Sequence, residues 1–296
     1  MPVYLRPHIL SRAEALGLKA RQIVEGLRVG EHKSPFRGFS VEFVQHREYV
    51  PGDDIRHIDW KSYGRSERYT IKQYEQETNF IGHILLDGSK SMQYGDGETN
   101  KLEYAKLLAA TLSYLIVRQR DSVSLAVFDS IWRAQLPVSS QTGHISTILH
   151  TLEATEPAEK TSIGPLLQQV AERVRRRGLV FIISDVFDEV DTFLKGMQHL
   201  RFQGHEVTVF HILHPDEMNF PFTGNVRFEG LELPEELKTR PHLIRPTYIR
   251  AVQDYLRELQ KGCEMYRCDY VRMDTSHPLE VALPQYLVRR LQMSRR

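Results

Sequence analysis

Runs of strand length built almost wholly from apolar residues recur along this chain with segments of helical period between them, and that alternation leaves few folds open. The runs are 80–86, Val123-Ser124-Leu125-Ala126-Val127-Phe128, Leu179-Val180-Phe181-Ile182-Ile183, Val207-Thr208-Val209-Phe210-His211-Ile212-Leu213 and a last one near Cys268 to Met273. Apolar strands alternating with helices predict a mainly parallel sheet covered by helices on both faces. Helices are expected over 101–120, 143–152, 163–176, 189–202, 247–261 and 278–292, the last interrupted or kinked by Pro284. In the first of them Leu102, Ala105, Leu108, Ala109, Leu112 and Leu115 form a broad apolar face. The runs 123–128 and 131–138 are joined only through Asp129-Ser130, too short for a crossover, so this pair is expected to be antiparallel. The fold class expected is α/β and Rossmann-like.

Two regions stand outside the alternation. From Pro215 to Pro246 seven prolines and glycines punctuate short β-like pieces, which predicts an irregular or hairpin insertion at about 215–246. Residues 1–75 hold a helical segment near Ser11 to Leu27 followed by a turn-rich charged stretch. The chain is therefore read as an N-terminal segment, 1–75, and a main domain, 76–296.

Composition removes several functions. Lys plus Arg number 39 against 38 for Asp plus Glu, so no global charge argues for nucleic acid or a membrane surface. The two cysteines, Cys263 and Cys268, are too few for a disulfide framework and lack the second ligand pair of a zinc site. The longest apolar stretch, Leu107 to Val117, falls short of the roughly 20 residues a spanning helix needs. With no apolar core of signal-peptide length at the N-terminus, the expectation is a cytoplasmic protein with no membrane span.

The first run ends in Asp87-Gly88-Ser89-Lys90-Ser91, which delivers a carboxylate and two hydroxyls to the carboxyl end of a strand, where open α/β sheets place their ligands. Oxygens of this kind suit a hard cation such as Mg²⁺. Capping of the following helix by Asp87 and Ser89 is the alternative. Two further features fit the first reading. Thr161 precedes a helix, and Ile182-Ile183-Ser184-Asp185 repeats the design of an apolar strand ending in a carboxylate.

The set Asp87, Ser89, Ser91, Thr161 and Asp185, in this order, resembles the metal-ion-dependent adhesion site of von Willebrand factor A-like domains. The resemblance implies a von Willebrand A-type sheet and a site for Mg²⁺ or Mn²⁺, with Ca²⁺ as a third candidate. It also implies an open coordination position that accepts a carboxylate from a protein partner. Lys90 stands where many members carry a small residue, and its amine is expected to crowd or compete at the metal. Upstream, the stretch from Glu42 to Lys61 is similar to the signature of the bacterial domain-of-unknown-function 58 family, as is the close at Thr275-Ser276-His277-Pro278-Leu279. Longer relatives carry membrane helices ahead of this region, and the chain is expected to be a short soluble form. Relatives of that family are often encoded beside MoxR-type AAA+ ATPases, so the resemblance also implies an adaptor or co-chaperone role in remodelling or maturing other proteins.

Within that upstream stretch, Pro51-Gly52-Asp53-Asp54 reads as a turn. Arg47, Asp53, Asp54, Arg56 and Asp59 are expected to form an ion-pair network; with Trp60 and Tyr63 the same charges would make a second interaction surface. Enzymatic alternatives find little purchase. A dehalogenase-type phosphatase would need an acid at position 89, where Ser89 stands, and neither a Gly-x-Ser-x-Gly elbow nor a phosphate-binding glycine loop is present. The function expected is a non-enzymatic, metal-dependent binding module; the alternatives are a metal-assisted hydrolase or a scaffold with a vestigial metal site.

Overall fold

In the computed structural model, which describes residues 42–50, 58–66, 68–75, 81–157, 163–174, 176–230 and 236–293, the chain divides into two compact units, a smaller one within Phe36–Phe80 and a larger one from Ile81 onward. The smaller unit pairs β1 (Glu42–Glu48) antiparallel with β2 (Thr70–Glu75), and α1 (Trp60–Ser66) lies between them in sequence. Asp59 starts α1: its carboxylate accepts from the backbone N–H of Lys61 at 3.0 Å and of Ser62 at 3.2 Å, satisfying donors that a helix start leaves open. Tyr63 stacks on Tyr69 at 4.5 Å, and Trp60 stands largely exposed. Asp53, Asp54 and Arg56 lie outside the described residues, as do the side chain of Arg47 and the expected helix near Ser11 to Leu27.

The larger unit begins with β3 (Ile81–Asp87), α2 (Lys101–Arg118), β4 (Ser122–Phe128), β5 (Trp132–Ser139) and α3 (Thr142–Glu153). It continues through α4 (Ile163–Arg173), β6 (Leu179–Ser184), α5 (Val190–Phe202) and β7 (Glu206–Leu213). Six strands form one sheet in the order β10-β7-β6-β3-β4-β5, with β10 (Asp269–Asp274) at one edge. Every neighbouring pair is parallel except β4 with β5, as the short link between them requires. The α/β class is thus the observed one.

Strands β3 and β6 are buried along their whole length, which explains their uninterrupted apolar sequences. Leu85, Val180, Ile182 and Val209 join one core with Leu166, Leu167 and Val170 of α4 and Phe193 and Met197 of α5. On the opposite face α2 packs on β3 and β4 and against α3. Cys263 and Cys268 are free and buried.

The region 215–246 departs in part from the expectation. It holds a short helix, α6 (Pro215–Asn219), and a hairpin of β8 (Val226–Glu229) with β9 (Glu236–Thr239). The next helix, α7 (Pro241–Met265), starts at Pro241 rather than Thr247 and runs through Pro246. Pro241 suits the first helical position, where no N–H is needed. Pro246 forfeits one backbone bond, and tertiary anchors hold the turn around it: Arg245 donates to the carbonyls of Phe220 at 2.9 Å and Phe222 at 2.8 Å, and Tyr248 packs on Phe220. The closing helix, α8 (Leu279–Met293), likewise continues through Pro284. Among the described residues no helix is long and apolar enough to cross a membrane.

Candidate functional site

The chain passes from β3 to β4 on one side of the sheet and later to β6 on the other, so the order reverses between β3 and β6, the position where open α/β sheets form a crevice for ligands. Register aligns the strand ends there. Leu86 stands opposite Ile183, Asp87 opposite Phe128, and Ser184 opposite His211.

Asp87 is fully buried. One of its oxygens accepts from the backbone N–H of Ser89 at 2.9 Å and the other from the hydroxyl of Ser184 at 2.5 Å. The Ser89 and Ser91 hydroxyls are hydrogen-bonded to each other at 3.0 Å. Burial and the nearby Asp185 carboxylate push the Asp87 pKa up to about 7, against the pull of the Ser184 and Ser89 hydrogen bonds. Capping does not account for this geometry: Ser89 makes no side-chain cap bond, the following helical turn is a short 3₁₀ segment, Lys90–Gln93, and α2 is capped by Asn100.

Asp185, immediately after β6, stands in a different environment. Burial works against its charge, yet Lys101 outweighs that penalty and, helped by the Ser91 hydroxyl, holds its pKa below the ordinary carboxylate range. The Lys101 ammonium donates to Asp185 at 2.8 Å and to Glu217 at 2.6 Å, with the side chain only 1% exposed. Glu217 is itself fixed by the capping box of α6, where its second oxygen accepts from the His214 N–H at 2.8 Å. Beside them, His211 is bonded to the Tyr270 hydroxyl at 2.7 Å and burial pushes its pKa down to about 4.

After Asp185 the backbone turns sharply. Val186 has φ 50, a conformation that a β-branched residue adopts only under strain, and its side chain is fully buried. Three hydrogen bonds hold it: its N–H donates to the Ser184 hydroxyl at 2.8 Å, while its carbonyl accepts from Tyr255 and from the Asp188 N–H. The turn leaves Phe187 67% exposed immediately beyond the buried carboxylate.

Of the residues singled out in the sequence, Asp87, Ser89, Ser91 and Asp185 come together; Thr161 lies outside the described residues. The donor set fits a hard divalent ion at the Asp87 end, where two hydroxyls face a carboxylate whose charge the surrounding protein disfavours. At the Asp185 end a lysine already supplies positive charge. Among the described residues no group of three His, Cys, Asp or Glu is placed to hold a metal, so any site relies on the hydroxyls. Lys90 is exposed, whereas Lys101 is buried and bonded to Asp185. Ser184, Lys101 and Glu217 were not anticipated. Ser184 could have been, since it precedes Asp185 in an otherwise apolar run; Lys101 carries no local signal beyond opening an amphipathic helix.

The family model described as "Protein of unknown function DUF58" matches residues 45–258. Uncharacterized proteins of Mycobacterium bovis and Mycobacterium tuberculosis are 24% identical over 229 residues, spanning 76% of this chain and 72% of theirs. Among solved structures, the conserved hypothetical protein BatB from Bacteroides thetaiotaomicron is similar at 19% identity and a TM-score of 0.47, over 72% of this chain and 99% of that one. An aerotolerance-related membrane protein from Bacteroides fragilis is similar at 18% identity and a TM-score of 0.49, with the same coverage of 72% and 99%. The SpRpn10 VWA domain is similar at 12% identity and a TM-score of 0.38, over 71% and 93% of the two chains.

Proposed function

This chain belongs to the DUF58 family, and we propose that it is a non-enzymatic, divalent-cation-dependent protein-binding module whose contact point is the carboxyl end of the six-stranded sheet. The observation that carries this reading is the grouping of Asp87, Ser89, Ser91 and Asp185 at the point where the strand order reverses. These residues, with Thr161 by resemblance, would hold Mg²⁺ or Mn²⁺, or Ca²⁺, and the bound ion would supply a Lewis-acidic position for a carboxylate of a protein partner.

The chain's own groups explain why such a contact discriminates. Hydroxyls supply most of the donors, and the charge of Asp185 is already taken up by Lys101, so positive charge would remain on the ion and an acidic partner residue is favoured over a neutral one. Phe187, exposed on the strained turn after Asp185, offers an aromatic anchor at the rim of the same site. The partner proposed is an acid-bearing protein, with a MoxR-type AAA+ ATPase as first candidate and adaptor or co-chaperone work in the cytoplasm as the role.

A second reading, a scaffold whose metal site is vestigial, draws support from Lys101, which already neutralises Asp185. Binding of a purified MoxR-type ATPase, measured with Mg²⁺ and with chelator, on wild type and Asp87→Ala, separates the two. Capture lost both with chelator and in the variant is the expected result. Equal capture under all conditions favours the scaffold.

A further inference from the structure

Lys101 is an expensive residue where it stands. It occupies the first position of α2, where the helix dipole disfavours a cation, and its ammonium is buried, where desolvation disfavours any charge. Only direct contact with carboxylates offsets both penalties. Two supply it from separate elements, Asp185 after β6 at 2.8 Å and Glu217 in α6 at 2.6 Å. We infer that Lys101 is a resident counter-cation of this site, and that the Lys101–Glu217 pair sets how tightly a divalent ion is held there. The inference rests on the metal reading proposed above.

The argument is one of charge and of shared lone pairs. The charged groups gathered here are the carboxylates of Asp87, Asp185 and Glu217 and the ammonium of Lys101; His211, bonded to Tyr270, faces Asp185, and Asp216 is engaged by Tyr94 at 3.0 Å. The ammonium occupies an Asp185 oxygen that would otherwise be free to support the ion, and it would repel a dication across a poorly screened interior. Glu217 works in the opposite sense. By sharing the ammonium it draws positive charge away from Asp185, so its loss concentrates that charge on the site.

The two residues therefore make opposite predictions, which a merely structural role would not. Mn²⁺ binding to the full chain, followed by calorimetry and by the metal's electron paramagnetic resonance signal, is compared in wild type, Lys101→Gln, Glu217→Gln and Asp87→Asn. Lys101→Gln is expected to bind Mn²⁺ at least ~10-fold more tightly, because a unit like charge has been removed from contact distance of the site. Glu217→Gln is expected to bind several-fold more weakly. In both, the change in Mn²⁺-induced melting-temperature shift should follow the affinity. If the two variants shift in the same direction, or neither shifts while Asp87→Asn abolishes binding, the inference is overturned and the metal reading stands. If Asp87→Asn binds like wild type, the metal reading itself falls. Should Lys101→Gln not fold, Glu217→Gln decides alone: its side chain is 30% exposed, and unchanged or tighter binding in it overturns the inference.

Discussion

The carboxyl ends of β3 and β6 are built alike and behave in opposite ways. Each is a wholly buried apolar strand that delivers an aspartate to the same rim of the sheet, one strand apart. Asp87 accepts from the Ser184 hydroxyl at 2.5 Å and the Ser89 N–H at 2.9 Å, and burial with the nearby Asp185 carboxylate raises its pKa to about 7. Asp185 is met by an ammonium, and its pKa falls. Local sequence sets where a buried carboxylate stands; what stands opposite it in the fold sets whether it is charged.

The largest effect that could break this asymmetry is expected from Lys101→Met. Removing the ammonium leaves Asp185 and Glu217 without their shared cation, and breaking a buried pair in this way costs about 3–5 kcal/mol. Urea denaturation measures it. A loss under about 1 kcal/mol would show that Asp185 protonates or finds another partner, and that the two strand ends are less different than their surroundings imply.

Ser184→Ala comes next. Its hydroxyl donates to Asp87 and accepts from the Val186 N–H, so one truncation strips a buried carboxylate and a strained turn at once. About 2 kcal/mol is expected, the scale of a buried polar group left unsatisfied. A loss confined to a few tenths would mean that the two strand ends are not coupled through this residue.

Asp87→Asn tests the charge state through pH. A carboxyl raised from 3.8 to about 7 makes the folded state bind more protons than the unfolded state between those values. Wild type therefore loses stability as pH rises through that window, and the full penalty is present above about 7. His83 and His211, lowered from 6.5 to about 4, act inversely: their contribution is lost as pH falls from 6.5 toward 4. Comparing wild type with Asp87→Asn isolates the carboxyl. The variant should gain about 1–2 kcal/mol near pH 8, less than the full shift implies because the amide cannot accept at both positions, and the gain should vanish near pH 4. A pH-independent difference would mean that Asp87 is not the titrating group.

The smallest effect on stability, with the sharpest effect on function, is expected from Ser89→Ala combined with Ser91→Ala. Both hydroxyls are buried and bonded to each other, so the double truncation orphans neither serine, but Asp87 and Asp185 each lose a hydroxyl donor, and about 1 kcal/mol should be lost. Mn²⁺ binding and partner capture should nevertheless disappear. Retained capture at the Mg²⁺-loaded wild-type level would assign the contact to another surface.

How much of this was legible beforehand follows from the range of the interactions. Apolar runs and a short link are local, so the strands and the antiparallel β4–β5 pair could be read from residue order, while the gathering of Asp87, Ser89, Ser91 and Asp185 followed from the resemblance their spacing carries. The start of α7 was misplaced because Pro246 is a local breaker, whereas Arg245 and Tyr248 restore the turn through contacts with Phe220 and Phe222 more than twenty residues away. Lys90 drew attention as the lysine inside the motif. Lys101 did not, because nothing within a helical turn of it announces the carboxylates it meets.

Those carboxylates lie 84 and 116 residues further along the chain, which gives the contact a place in time as well as in space. Closing loops of that length is slow relative to forming a helix or a hairpin. Until β6 and α6 have been synthesised, the Lys101 ammonium has neither of the carboxylates that offset its burial. The contact therefore depends on segments from both sides of the reversal in strand order.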